Sequence, residues 1–349
     1  MSRGRSEPAA PEPGGVLERD AAESWDAASF ARDVAGTCRP TVLRGLCRDW
    51  PSTRAASRSW RDLGDYLLGF DAGLSGQAFV GSPAIAGRYD YGDGPDGFNF
   101  DRESLTLRQT LERIDQAAGD PCRASIYMGS LPADDYLPGF DLDQKIAFLP
   151  PIARPRIWLG NAGRVACHYD TYDNLACVVA GRRRFTLFPP DAVSDLYVGP
   201  IDHTLAGQPV GLAVGSERGD PRFPRFAKAR DRAMVVELES GDALYLPKLW
   251  WHQVEALEPT NLLINYWWDA FAAGPDAPNV TMMLAMIAIS ERPVAERQAW
   301  RAFFDHYVFR PDGHPLAHMP AERHGLLGPL ATGNYGRIRA IAMKILRGG

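Results

Sequence analysis

The sequence predicts a mainly β chain with added helices, and three stretches carry the prediction. Residues 261–268 (Asn-Leu-Leu-Ile-Asn-Tyr-Trp-Trp) are an alternating, β-prone run. Leu175–Ala180 and Arg182–Phe188 are two further β-prone runs with Gly181 between them and Pro189-Pro190 ending the second, which reads as a hairpin. Gly241-Asp242 reads as a tight turn entering the strand Ala243–Leu246.

Taken in order, residues 1–22 are rich in Pro, Gly, Ala and Glu and are expected to form a disordered tail. Residues 23–272 are expected to be one domain, with core strands at about 124–268. Within it, Thr41–Arg44 and Ala124–Met128 read as strands, while Trp60–Leu68 and Leu105–Ile114 have helical periodicity. The Gly/Asp/Tyr-rich stretch Gly87–Phe100 reads as turns and a hairpin. Pro189–Arg232 is a long connection with a short helix near Phe226, and an insert of that length could frame the mouth of a site. Past Asp269 the strand pattern stops. Val280–Glu291, Ala295–Tyr307 and Arg337–Leu346 read as helices of a 273–349 region that carries Met282, Met283, Met286, Ile287, Trp300 and Phe303.

Composition narrows the function. With 45% hydrophobic and 23% charged residues over 349 positions, the chain can bury a large core. A net charge of −5 argues against a general nucleic-acid binder. No apolar run has the length of a membrane span, and Met1–Gly15 lacks the apolar segment of a secretory signal. Five scattered cysteines (Cys38, Cys47, Cys122, Cys167, Cys177) without C-x-x-C spacing fit free thiols in a reducing cytoplasm.

The chemistry is carried by His168-Tyr169-Asp170 and by His252 within Trp250-Trp251-His252. On a strand the i, i+2 spacing sets His168 and Asp170 on one face, because side chains alternate. A histidine from a distant strand then completes the facial triad of non-haem Fe(II) oxygenases, with open positions opposite. His-x-Asp alone is weak, since a strand histidine is usually a hydrogen-bonded core or surface residue. Cys167 neighbours a ligand but should face away from His168.

With these residues in place, the segment from about 157 to 268 resembles the cupin-like branch of the JmjC oxygenases, which includes the asparaginyl hydroxylase of the hypoxia-inducible factor. The matching features are His168-Tyr169-Asp170, Asn174, Gly181, Leu187-Phe188-Pro189-Pro190, Gly241-Asp242, Trp250-Trp251-His252, and Asn265 with Trp267. A weaker likeness reaches back to Pro40–Gly45 and Asp49-Trp50-Pro51. The strands and the resemblance together imply a double-stranded β-helix, or jelly roll, with added helices.

The resemblance also implies a site. Fe(II) would be held by His168, Asp170 and His252, and 2-oxoglutarate would be the co-substrate. Arg183 stands where the family has a lysine for the distal carboxylate, so it is either an inward anion-binding residue or an exterior arginine like Arg182 and Arg184. Tyr127 aligns with a tyrosine that binds the same carboxylate, though core packing would equally explain it. Asn174 and Asn265 would line the pocket and Trp267 would form an apolar wall. Val165 replaces a hydroxyl-bearing threonine three positions before His168. The remaining histidines (His203, His306, His314, His318, His324) read as structural or surface groups.

Three functions follow. The first is a 2-oxoglutarate-dependent dioxygenase hydroxylating a protein side chain or a small metabolite. The second is a metal-binding cupin that no longer uses 2-oxoglutarate, and the third is a non-catalytic sensor or scaffold. Histone demethylation is disfavoured, because no chromatin-reading module is recognisable. The helical C-terminus could pack on its own barrel or, as in the asparaginyl hydroxylase, form a homodimer. The substrate stays open.

Overall fold

The alternating run at 261–268 is the central strand of a nine-stranded sheet. In a computed structural model of the chain, which describes residues 15–20, 25–92, 97–120, 122–205, 207–271 and 276–348, the strands are as follows. They are β1 (Leu17–Asp20), β2 (Thr41–Arg44), β3 (Ser75–Gly81), β4 (Arg88–Tyr89), β5 (Asp101–Thr106), β6 (Ser125–Pro132), β7 (Pro155–Gly160), β8 (Gly163–His168), β9 (Asp173–Ala180), β10 (Arg183–Phe188), β11 (Met234–Leu238), β12 (Ala243–Leu246), β13 (Trp251–Ala256) and β14 (Asn261–Trp268). The larger sheet runs β1-β2-β12-β9-β14-β7-β6-β3-β5, and the smaller runs β11-β10-β13-β8-β4. This is the mainly β, double-stranded β-helix architecture with added helices.

The sheets meet through Ala176, Val178, Leu244, Leu246 and Leu263 on one side and Phe185, Leu187, Val236 and Leu238 on the other. The far face of the larger sheet is covered by helices, among them α1 (Ala27–Asp33), α2 (Pro51–Arg58), α3 (Trp60–Leu68) and α4 (Leu107–Ala118). This explains why β9 is buried at every position: Ala176 and Val178 face the other sheet, and Leu175, Cys177 and Val179 face helices. A fully buried leucine such as Leu175 contributes about 1.5–3 kcal/mol relative to exposure. Helix α4 forms where it does because Thr106 and Gln109 make a capping box and Leu107, Thr110, Leu111 and Ile114 repeat at helical spacing on its buried face. Two short helices, α5 (Ala133–Tyr136) and α6 (Phe226–Arg230), complete this unit, which extends to Ala270.

Two sequence expectations change. The runs flanking Gly181 are not a hydrogen-bonded hairpin: β9 belongs to the larger sheet and β10 to the smaller, so the chain crosses between layers at that glycine. Gly181 has φ of 78°, and a Cβ there would collide with the Asn261 side chain, so both conformation and space require glycine. Of the expected tail, residues 1–14 and 21–22 lie outside the described residues, while Leu17–Asp20 pair in parallel with Thr41–Arg44. Composition missed this strand because an edge strand needs one good neighbour, not burial on both faces; Glu18 also pairs with Arg44 at 2.7 Å.

The second unit, 271–349, contains α7 (Pro278–Ile289), α8 (Val294–Phe304) and α9 (Asn334–Leu346). Neither α7 nor α8 has a buried residue, and Met282, Met283, Met286, Ile287, Trp300 and Phe303 are all exposed. Among the described residues no helix is long and apolar enough to cross a membrane.

Candidate functional site

His168 ends β8 and His252 is the second residue of β13; the two are direct cross-strand partners. Asp170 does not share a strand face with His168 as the i, i+2 spacing predicts, because β8 ends at His168; Asp170 follows in a loop anchored by a hydrogen bond from the Leu249 N–H to the Asp170 carbonyl (2.8 Å). One donor atom from each of the three residues lies within 4.8 Å of the others. Each imidazole has Nδ1 against the carbonyl two residues earlier, Ala166 at 2.8 Å for His168 and Trp250 at 2.9 Å for His252. Those contacts assign the proton to Nδ1 and leave the Nε2 lone pair for a metal. Burial and the neighbouring His168 push the His252 imidazole down to about 4, so it is neutral at physiological pH, the form a metal ligand requires. Two imidazole nitrogens and one carboxyl oxygen around a shared point fit a 2-His-1-carboxylate Fe(II) centre.

The opposing sheet orients the carboxylate through three hydrogen bonds in series. Trp158 Nε1 donates to Asn265 Oδ1 (2.6 Å), Asn265 Nδ2 to Asn174 Oδ1 (3.1 Å), and Asn174 Nδ2 to Asp170 Oδ2 (3.5 Å). The indole can only donate and the carboxylate can only accept, so the ends fix both amide orientations. Trp158 seats itself closely against Gly129, where a Cβ would stand 2.6 Å from its ring.

These residues line a cavity of about 490 Å³ between the sheets. All eight residues singled out from the sequence are on its wall: His168, Asp170, His252, Arg183, Tyr127, Asn174, Asn265 and Trp267. Arg183 is 4% exposed, and burial lowers its guanidinium to about 10. Its Nε has no acceptor among the described residues, nor has Trp267 Nε1, and both atoms are buried. Two stranded donors on residues that line one cavity from its two sheets are what a bound polyanionic or carbonyl-bearing molecule would satisfy. Tyr127 is half-buried on the same cavity as Arg183, and loss of solvent around its hydroxyl raises it well above the usual range. Arg182 and Arg184 lie outside, paired with Glu258 (2.8 Å) and Glu237 (2.7 Å). Cys167 points away into the cluster of Phe188 and Trp251.

Sequence reasoning missed Trp158, Phe79, Tyr89 and Arg102, which also line the cavity. For Trp158 the signal was present as the middle of a short strand with alternating burial. Arg102 and Phe79 sit on β5 and β3, whose patterns are too short and polar to read as strands. The insert after β10 supplies Thr204, Leu205 and Gln208 to the mouth. His203 is a structural group, stacked on Phe98 at 5.0 Å.

The chain is 35% identical over 115 residues to lysine-specific demethylase JMJ31 of Arabidopsis thaliana, covering 32% of this chain and 20% of that protein. It is 39% identical over 114 residues to HSPB1-associated protein 1 of Bos taurus, covering 32% and 23%. Over 244 residues it is 26% identical to Jumonji C domain-containing protein 5 of Drosophila melanogaster, covering 66% and 55%. The matched stretches thus span about a fifth of the first two relatives and about half of the third. The cupin-like domain family matches residues 27–274, which is most of this chain and includes the whole cavity, and the protein belongs to that family.

Proposed function

We propose that the protein is an Fe(II)- and 2-oxoglutarate-dependent dioxygenase that hydroxylates a protein side chain or a small metabolite. The observation that carries the reading is the convergence of His168, Asp170 and His252 in a cavity that also holds, on the same sheet as the two histidines, a buried arginine with a stranded donor. When bound, the iron would supply dioxygen activation coupled to oxidative decarboxylation of the oxoacid.

The chain's own residues do the rest. His168 and His252 present Nε2 because their Nδ1 protons are committed to backbone carbonyls. Asn174, itself held by Asn265, donates to the Asp170 carboxylate, and both amides would offer polar contacts to an oxoacid. Arg183 and Tyr127 would grip its distal carboxylate, with the planar guanidinium in place of an ammonium. Trp267 and Trp158, edge to face at 5.7 Å, close one wall and exclude water. The exposed apolar side chains of α7 and α8 support assembly as a homodimer.

The supporting experiment is proton NMR of 2-oxoglutarate incubated aerobically with Fe(II) and protein. Conversion to succinate that is lost in His252→Ala supports the reading; no conversion by iron-loaded protein in the presence of reductant counts against it. Val165, which brings no hydroxyl to the cavity, favours a second reading as a metal-binding cupin without 2-oxoglutarate use. That reading predicts metal binding with no response to the oxoacid.

A further inference from the structure

We infer that the substrate is held by a carboxylate paired with Arg102 at the outer end of the cavity, which makes Arg102 a specificity residue. The inference rests on the oxygenase reading for the occupancy of the inner end.

Arg102, Phe79 and Tyr127 lie in one row across three strands, since Phe79 is the cross-strand partner of both other residues. Two strand spacings put the Arg102 backbone about 10 Å from that of Tyr127. The row therefore runs from the co-substrate anchor to the mouth. The guanidinium carbon of Arg102 stands 5.0 Å from the Phe98 ring centroid and 5.4 Å from that of Phe79, a slab that holds the fork in place. One of its nitrogens donates to the Leu205 carbonyl at 3.0 Å. A guanidinium has five N–H donors, and among the described residues no carboxylate stands within ion-pair distance of this one. Arg184, by contrast, carries its full complement of acidic neighbours.

Charge balance points the same way. The charged side chains among the described residues of the cavity wall are Arg102, Asp170 and Arg183. A divalent ion with Asp170 leaves one positive charge, and the two arginines raise it to three. A dianionic oxoacid then leaves a single positive charge, located at Arg102. A monoanion restores neutrality, whereas a phosphate dianion overshoots and an ammonium is repelled. The planar fork matches a carboxylate in two-point contact. That carboxylate could belong to a small acid or to an acidic side chain of a peptide.

The test is ligand-observed saturation-transfer NMR on Zn(II)-loaded full-length protein, with and without 2-oxoglutarate. The probes are N-acetyl amino acids with a free carboxylate, their carboxamides, and N-acetyl-aspartyl and N-acetyl-glutamyl carboxamides. Free acids should bind at least about tenfold more tightly than the matching amides. Arg102→Gln should erase that preference, and Arg102→Lys should keep part of it. Preference for the side-chain acids would identify a peptide source, and preference for the α-carboxylates a small acid. Equal binding of acid and amide, binding of neither, or an acid preference lost in Arg183→Gln but kept in Arg102→Gln would overturn the assignment. An Arg102-dependent preference in protein that fails to bind 2-oxoglutarate would support the Arg102 site and remove the oxygenase reading alone.

Discussion

Val165 and His168 stand three residues apart on one strand, yet both face the cavity. Strict alternation would turn one of them outward. The ladder between β8 and β13 resolves this: His252 pairs with His168, but Val254 pairs with Val165, so β8 carries one extra residue at that point. The bulge aims Val165 at the cavity while keeping His168 on its wall.

Val165→Thr should therefore place a hydroxyl inside the cavity. A neutral hydrogen bond contributes about 1 kcal/mol, so 2-oxoglutarate affinity should rise roughly fivefold. Calorimetric titration of wild type and variant with the oxoacid checks this; an unchanged affinity would show that the hydroxyl faces away from the co-substrate.

Arg183 presents a trade between stability and binding. Its guanidinium is buried without a counter-ion among the described residues. Arg183→Met should raise the stability of the ligand-free protein by about 1–4 kcal/mol while abolishing the stabilisation that 2-oxoglutarate confers. Denaturant unfolding with and without the oxoacid reads both effects. A destabilised variant would mean that Arg183 is balanced by contacts other than a ligand.

The series Trp158–Asn265–Asn174–Asp170 should transmit a change at its far end. Trp158→Phe removes the indole donor and strands the buried Asn265 Oδ1, at a cost of about 1–3 kcal/mol in stability. By loosening Asp170 it should also weaken metal binding by about tenfold or more. Competition for Mn(II) against a chromophoric chelator measures the second effect, and an unaltered affinity would disconnect Trp158 from the metal centre.

Exposed methionines and aromatics on α7 and α8 predict self-association of the 271–349 unit. Light scattering should give twice the chain mass for the full-length protein. Truncation after Ala273 should give insoluble or monomeric protein, and a soluble dimeric truncation would refute assembly through these helices.

The core and the candidate metal residues were legible because their signals are local. The alternating run of β14 and the turn at Gly241 each report on a few adjacent residues, and the pair His168/Asp170 was read from its spacing although β8 ends at His168, so a loop and not strand alternation places Asp170. The destination of β10 was not legible, because alternation says which residues share a face and not which sheet receives the strand. For the same reason Trp158 and Arg102 escaped notice. Their importance arises from what lies opposite them across the cavity, which no local pattern records. Arg183 was ambiguous in sequence between inward and outward, and the placement of β10 against β13 turns it inward.

The most direct measurement is an anaerobic titration of the Fe(II)-loaded protein with 2-oxoglutarate, following the visible absorption of a chelated oxoacid. The account predicts a saturable charge-transfer band that is absent in His252→Ala and requires several-fold more oxoacid in Arg183→Ala. Iron-loaded protein that shows no band at any concentration would contradict it and leave a metal-binding cupin in its place.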